Sequence, residues 1–208
     1  MSGYQIIPSD PDLVAGWNLR QIQAGIVNDV SPNGYNGTIV GNPMSGRDRF
    51  GEFLEFDGVN DCGALSEISL SGAFTIRFVL SIAGTAQGHM TGNTSGTYKI
   101  GFNAGTYFIR ITTGGTSTSP AILATTERLF VTVTRDSNFK VDLYENGGSA
   151  RRLFSDVPQY GTYKFNRIGT DTYGYFAGKI YSAAIYNKAK SEAWALQEYV
   201  RFLRFSVL

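Results

Sequence analysis

The chain has 208 residues, 42% of them hydrophobic and 17% charged, and eighteen Lys and Arg against seventeen Asp and Glu leave a net charge of +1. So low a charged share excludes a disordered chain or a coiled coil, and so small a net charge excludes the broad positive field that nucleic-acid backbones require. Twenty-five glycines, fourteen Phe and twelve Tyr point instead to strands joined by many turns, and the length suits one all-β sandwich domain.

In chain order, residues 1–12 read as an N-terminal arm, 13–190 as the sandwich and 191–204 as a C-terminal helix. The arm has neither the basic nor the apolar region of a leader, and no run approaches a membrane span. The expectation is therefore no secretion signal and no membrane insertion. Strands are predicted at 13–18, 52–56, 98–102, 107–112, 166–168 and 178–186. The clearest strand is 73–82, where Phe74, Ile76, Phe78, Leu80 and Ile82 share one face. Thr75, Arg77 and Ser81 take the other face, with Val79 as its apolar exception. Strands 129–134 and 140–144 flank the turn residues Arg135 to Asn138 and read as a hairpin. Asn146 and Gly147 mark the next turn.

The helix starts at Ser191, a good N-cap, with Glu192 in the first turn. Ala193, Leu196, Val200 and Leu203 form one stripe, while Trp194, Tyr199, Phe202 and Phe205 spread around the rest. A surface helix needs one apolar face, and this one has more. Either other parts of the same fold or a partner subunit covers the excess, so the four aromatics are the assembly candidates.

Single residues narrow the chemistry. Cys62 is the only cysteine, so no intrachain disulfide forms. One Cys and one His cannot build a zinc site from those side chains. His89 reads as an exposed loop residue with no nucleophile elbow nearby. Gly92 to Lys99 brings glycines near a lysine, but not at P-loop spacing. Arg47/Arg49 and Arg151/Arg152 are too few for a nucleic-acid stripe.

Six segments in order resemble the laminin G-like, concanavalin A-like lectin superfamily. They are Leu13-Val14-Ala15-Gly16-Trp17-Asn18, the turn from Asn28 to Thr38 around Asp29-Val30-Ser31, and Leu54-Glu55-Phe56-Asp57-Gly58-Val59-Asn60-Asp61. Phe74-Thr75-Ile76, Leu143-Tyr144-Glu145-Asn146-Gly147 and the closing stretch from Phe176 to Ala189 complete the set. The resemblance implies a two-sheet antiparallel jelly roll. It also implies a structural calcium in some members, bound through an acid just after the Gly-x-Ile step. Here Gly178-Lys179-Ile180 is followed by Tyr181, which leaves Asp57, Asn60, Asp61 and Asp171 as weak candidate oxygen donors and no cofactor expected.

Some relatives of this fold are endoglucanases, which need acids lining one strand face. Glu55 and Asp57 can share a face, but Glu52 has the wrong parity and no third acid follows. The expectation is a protein that is not an enzyme. The candidate glycan site is the cluster of Tyr160, Tyr163, Tyr173 and Tyr175 with Asn166 and Asp171, because sugars stack on aromatics and bind amides and carboxylates. The freestanding chain, the missing leader and the over-apolar helix favour another role. That role is a bacteriophage-like virion component, a capsid decoration or tail protein, assembled in the host cytoplasm with other virion proteins or copies of itself. The alternative is a carbohydrate-binding module or adhesin recognising a surface glycan.

Overall fold

The computed structural model describes residues 7, 9–83, 88–95, 98–103, 106–112, 115–121, 128–147, 151–152, 158–171 and 174–204. Among these, sixteen strands precede one helix. The strands are β1 (Leu13–Gln23), β2 (Ile26–Asp29), β3 (Gly37–Val40), β4 (Met44–Asp48), β5 (Gly51–Asp57), β6 (Cys62–Leu70), β7 (Phe74–Ile82) and β8 (Gly88–Gly92). There follow β9 (Lys99–Asn103), β10 (Thr106–Thr112), β11 (Gly115–Ala121), β12 (Leu129–Arg135), β13 (Val141–Glu145), β14 (Arg151–Arg152), β15 (Tyr163–Ile168) and β16 (Ala177–Tyr186), then α1 (Glu192–Arg204).

The pairing is antiparallel in the order β11-β10-β9-β8-β15-β6-β3-β2-β1-β16-β7-β12-β13-β14. Strands β4 and β5 branch from β16, whose first half pairs β5 and whose second half pairs β1. This sheet curls until its halves face one another. Trp17 of β1 stacks on Phe165 of β15 with ring centroids 5.7 Å apart, and Phe74 of β7 meets Tyr163 of β15 at the same spacing. Strands so distant in pairing order touch only across two layers, which is the jelly-roll sandwich expected. Asp29 fixes the first turn: its carboxylate accepts the backbone N–H of Gly16, Ser31 and Tyr35 and the Ser31 hydroxyl.

Strand β7 carries the alternation that the sequence shows, but both of its faces are buried. Phe74, Ile76, Phe78, Leu80 and Ile82 enter the main core, and Val79 joins Phe53, Phe130 and Tyr181 in a second cluster on the outer face. Helix α1 lies over that outer face, with Tyr199 and Phe202 packed on the second cluster and Trp194 edge-on to Tyr186 at 5.1 Å. Ser191 caps it, its hydroxyl accepting the Trp194 N–H at 3.3 Å. Arg77 thus becomes a buried cation, 1% exposed, held by Glu198 of the helix at 3.3 Å.

Two expectations need correction. His89 is not an exposed loop residue; it sits in β8, fully buried. The pairing of β8 with β9 and β15 makes a strand of a segment whose sequence reads as a loop. The strands β2, β3, β4, β6, β11 and β14 also go beyond the predicted set.

Candidate functional site

The structure separates the glycan candidates read from sequence. Tyr163 is fully buried in the core, where desolvation pushes its phenol far up. Asp171 is also buried: it is hydrogen-bonded to His89 Nδ1, accepts the Gly174 N–H at 3.0 Å, and lies 3.4 Å from Lys99 Nζ. Neither group can greet a sugar. Burial of the carboxylate, imidazole and ammonium together instead fixes the turn after β15. Tyr160 is 61% exposed and rests on Phe139 at 5.1 Å. Asn166 accepts the Thr94 N–H at 3.2 Å, and Tyr175 bridges to Thr170; both are half-buried. Tyr173 lies outside the described residues.

The weak metal candidates also part. Asp57, Asn60 and Asp61 gather at the β5–β6 turn, away from the Asp171 cluster. Asp61 is 2% exposed, and its two oxygens accept the N–H of Asn42 at 2.7 Å and of Asp57 at 3.0 Å. It is a latch between two turns. Gly41 is required there: its φ is +82°, and a Cβ would fall on Asp61 Oδ1. Among the described residues no three His, Cys, Asp or Glu side chains gather as they would around a metal ion.

That latch builds a cleft. It measures about 570 Å³ and is lined by Gly41, Asn42, Met44, Glu55, Asp57, Asn60, Asp61, Ala83 and Ala177 over Phe56. Glu55 and Asp57 leave the same face of β5, because side chains two apart on a strand do. Met44 of β4 stands opposite Glu55, and Ala177 of β16 stands opposite Asp57. Met44 is 66% exposed, so its thioether is a bare apolar wall beside amides and carboxylates. Asp57 is exposed, and hydrogen bonds from the backbone N–H of Val59 and Asn60 hold its carboxyl below the usual range. The sequence showed the parity of Glu55 and Asp57. It could not show Met44 or Ala177, which reach the cleft through cross-strand pairing, or Asn42, which its N–H bond to Asp61 places there.

The assembly candidates are placed against their own domain. Trp194 packs on Tyr186, and Tyr199 and Phe202 pack on Phe130 at 6.1 and 5.9 Å. Arg128 lies 3.6 Å from the Phe202 ring centre. Phe205 lies outside the described residues. The apolar side chains of α1 that face outward are aliphatic: Leu196, Val200 and Leu203, between 38% and 48% exposed. Helical spacing sets the split: Tyr199 and Phe202 share the face of the buried Ala195 and Glu198, and Leu196, Val200 and Leu203 share another.

Comparison with known proteins places this geometry. The family model described as the concanavalin A-like lectin/glucanases superfamily matches residues 57–195. No curated protein matches the chain. Among solved structures, it is similar to domain 4 of AbnA, an extracellular arabinanase from Geobacillus stearothermophilus solved in complex with arabinotriose. The TM-score is 0.70 at 15% identity, over 90% of this chain and 98% of that one. It is also similar to a botulinum neurotoxin type C structure whose cell entry depends on two ganglioside molecules, with TM-score 0.65 at 12% identity over 92% of this chain. The binding domain of Paraclostridial Mosquitocidal Protein 1 gives 0.62 at 14% identity over 92%. The chain spans about half the length of these two toxin chains, 51% and 52%. At such identities the likeness establishes the fold.

Proposed function

Because this chain belongs to the concanavalin A-like lectin/glucanases superfamily, we propose that it is a non-catalytic carbohydrate-binding module whose site is the cleft at the β5–β6 turn. One observation carries the reading. The cleft sets an exposed thioether and two alanines beside the amides of Asn42 and Asn60 and the carboxylates of Glu55 and Asp57, the combination that holds a sugar's apolar face and its hydroxyls together. The oligosaccharide and ganglioside ligands of the structural neighbours support it. Catalysis is not part of the proposal: Glu55 and Asp57 lack a third acid on their face of β5, where Glu52 has the opposite parity, and Asp57 is held toward the ionised form that a general acid must avoid.

The test is a titration of isotope-labelled protein with arabinotriose and a panel of neutral and charged oligosaccharides. Amide shifts at Gly41, Asn42, Asn60 and Ala83 and a shift of the Met44 methyl are expected, with loss of affinity on Asn42→Ala or Asn60→Ala. Shifts confined to other parts of the molecule, or none with any sugar, would sink it. Reducing ends released above a Glu55→Gln control would sink its non-catalytic half. A second reading, a virion structural part, is favoured by the outward Leu196, Val200 and Leu203. Sedimentation showing an assembly that Val200→Asp dissolves without unfolding the domain would raise it above the first.

A further inference from the structure

We propose that the cleft selects sugars bearing a protonated amine, such as oligosaccharides of glucosamine with free amino groups, over neutral or acidic ones. The inference rests on the carbohydrate reading of the same cleft. Glu55 and Asp57 lie two residues apart on one face of β5, so their carboxylates rise from Cα atoms about 7 Å apart. Among the described residues no lysine or arginine lines the cleft. Lys179 stands opposite Glu55 in the β16–β5 register, yet its Nζ is drawn to Asp48 at 3.4 Å and lies 4.1 Å from the Phe53 ring centre. Among the described residues no ion pair reaches Glu55 or Asp57, whereas Asp10, Asp12, Asp48, Glu67, Asp171 and Glu198 each have one.

Two negative charges therefore stand at the rim of a concave site with no ion pair among the described residues, the neighbouring Lys179 being held by Asp48. A recess focuses that field on whatever enters. An ammonium offers three N–H donors, and two carboxylates with an amide oxygen of Asn42 or Asn60 offer three acceptors at that rim. A metal ion is a poorer match, because three carboxylate or imidazole ligands do not converge there. A sugar acid would meet like charge.

Calorimetry at mildly acidic pH and low salt, with a glucosamine tetramer, its fully N-acetylated counterpart and arabinotriose, tests this. The free-amine tetramer should bind at least about tenfold more tightly than the acetylated one, as charge-assisted hydrogen bonds require. Added salt should shrink the preference. Glu55→Gln should remove most of it, and so should Asp57→Asn, with thermal melts confirming that each variant is folded. Equal or tighter binding of the acetylated tetramer, or a preference that survives in the double variant, overturns amine selection and leaves the carbohydrate reading standing. No binding of any of the three, with the cleft amides unmoved, overturns both.

Discussion

The outer face of the layer built around β16 is used in two ways. Over β7, β12 and the second half of β16, helix α1 closes it, and the charges beneath are paired: Arg77 with Glu198, both under 10% exposed. Beside the first half of β16, strands β4 and β5 leave the face open, and among the described residues Glu55 and Asp57 stand there without an ion pair. Where water is excluded, a charge is kept only with polar partners, as Arg77 has Glu198 and the buried Arg135 has the backbone carbonyls of Leu70, Gly72, Gln159 and Gly161. Where water enters, a charge can wait for a ligand. The difference separates a surface that holds the fold together from one free to bind.

Breaking the closed side should cost most. Glu198→Ala leaves Arg77 buried without its counter-charge and should lower unfolding stability by about 3–5 kcal/mol in a denaturant titration. Adding Arg77→Met should recover much of that. A loss under about 1 kcal/mol would mean that the layer behaves like a solvated surface. Gly147→Ala attacks the same side from the β13 turn. Its φ is +66°, and a Cβ there would lie 2.8 Å from the Leu196 Cα. A loss of about 1–3 kcal/mol is expected, and an unchanged melt would contradict the close packing of turn and helix.

The seam before the helix should respond to pH. Asp12 is held below the usual carboxylate range by the hydrogen bond from Lys190, 2.8 Å away. A depressed carboxyl stabilises the fold above its unfolded pKa, and that contribution is lost as pH falls through the folded value. Asp12→Asn should therefore leave a smaller stability drop on acidification below about pH 4. The effect is under about 1 kcal/mol, or about 2–4 °C in Tm. An acid limb identical to that of the parent chain would exclude this role. The smallest effect belongs to the open side: Glu55→Gln should keep stability within about 0.5 kcal/mol while changing sugar affinity. A large loss of stability there would make Glu55 a structural residue and erase the contrast.

Period-two patterns told the truth wherever a strand fills the core. Strands β7, β12, β13 and β16 lie close to where alternation places them, because one face is paid in apolar burial regardless of partner. Strand β4, Met44-Ser45-Gly46-Arg47-Asp48, has no such pattern; pairing with β5 makes it a strand. His89 shows the same limit, since a short Gly-rich segment carries no sign of which neighbours will cover it. Of the cleft, only Glu55, Asp57, Asn60 and Asp61 were visible, as polar residues around one turn.

By itself the sequence determined an all-β domain, a helix from Glu192 to Arg204, its Ser191 cap, and a lectin-like order of turns. Those features rest on local periodicity and on residues whose side chains bond nearby backbone, so neighbours in the chain suffice. The tertiary structure alone decided that Tyr163 and Asp171 are buried, that Trp194, Tyr199 and Phe202 face inward, and that Met44 stands beside Glu55 in the lining of the cleft. Each of these depends on which strands pair and what lies over them, and a pair such as His89 and Asp171 meets only because strands far apart in the chain lie side by side.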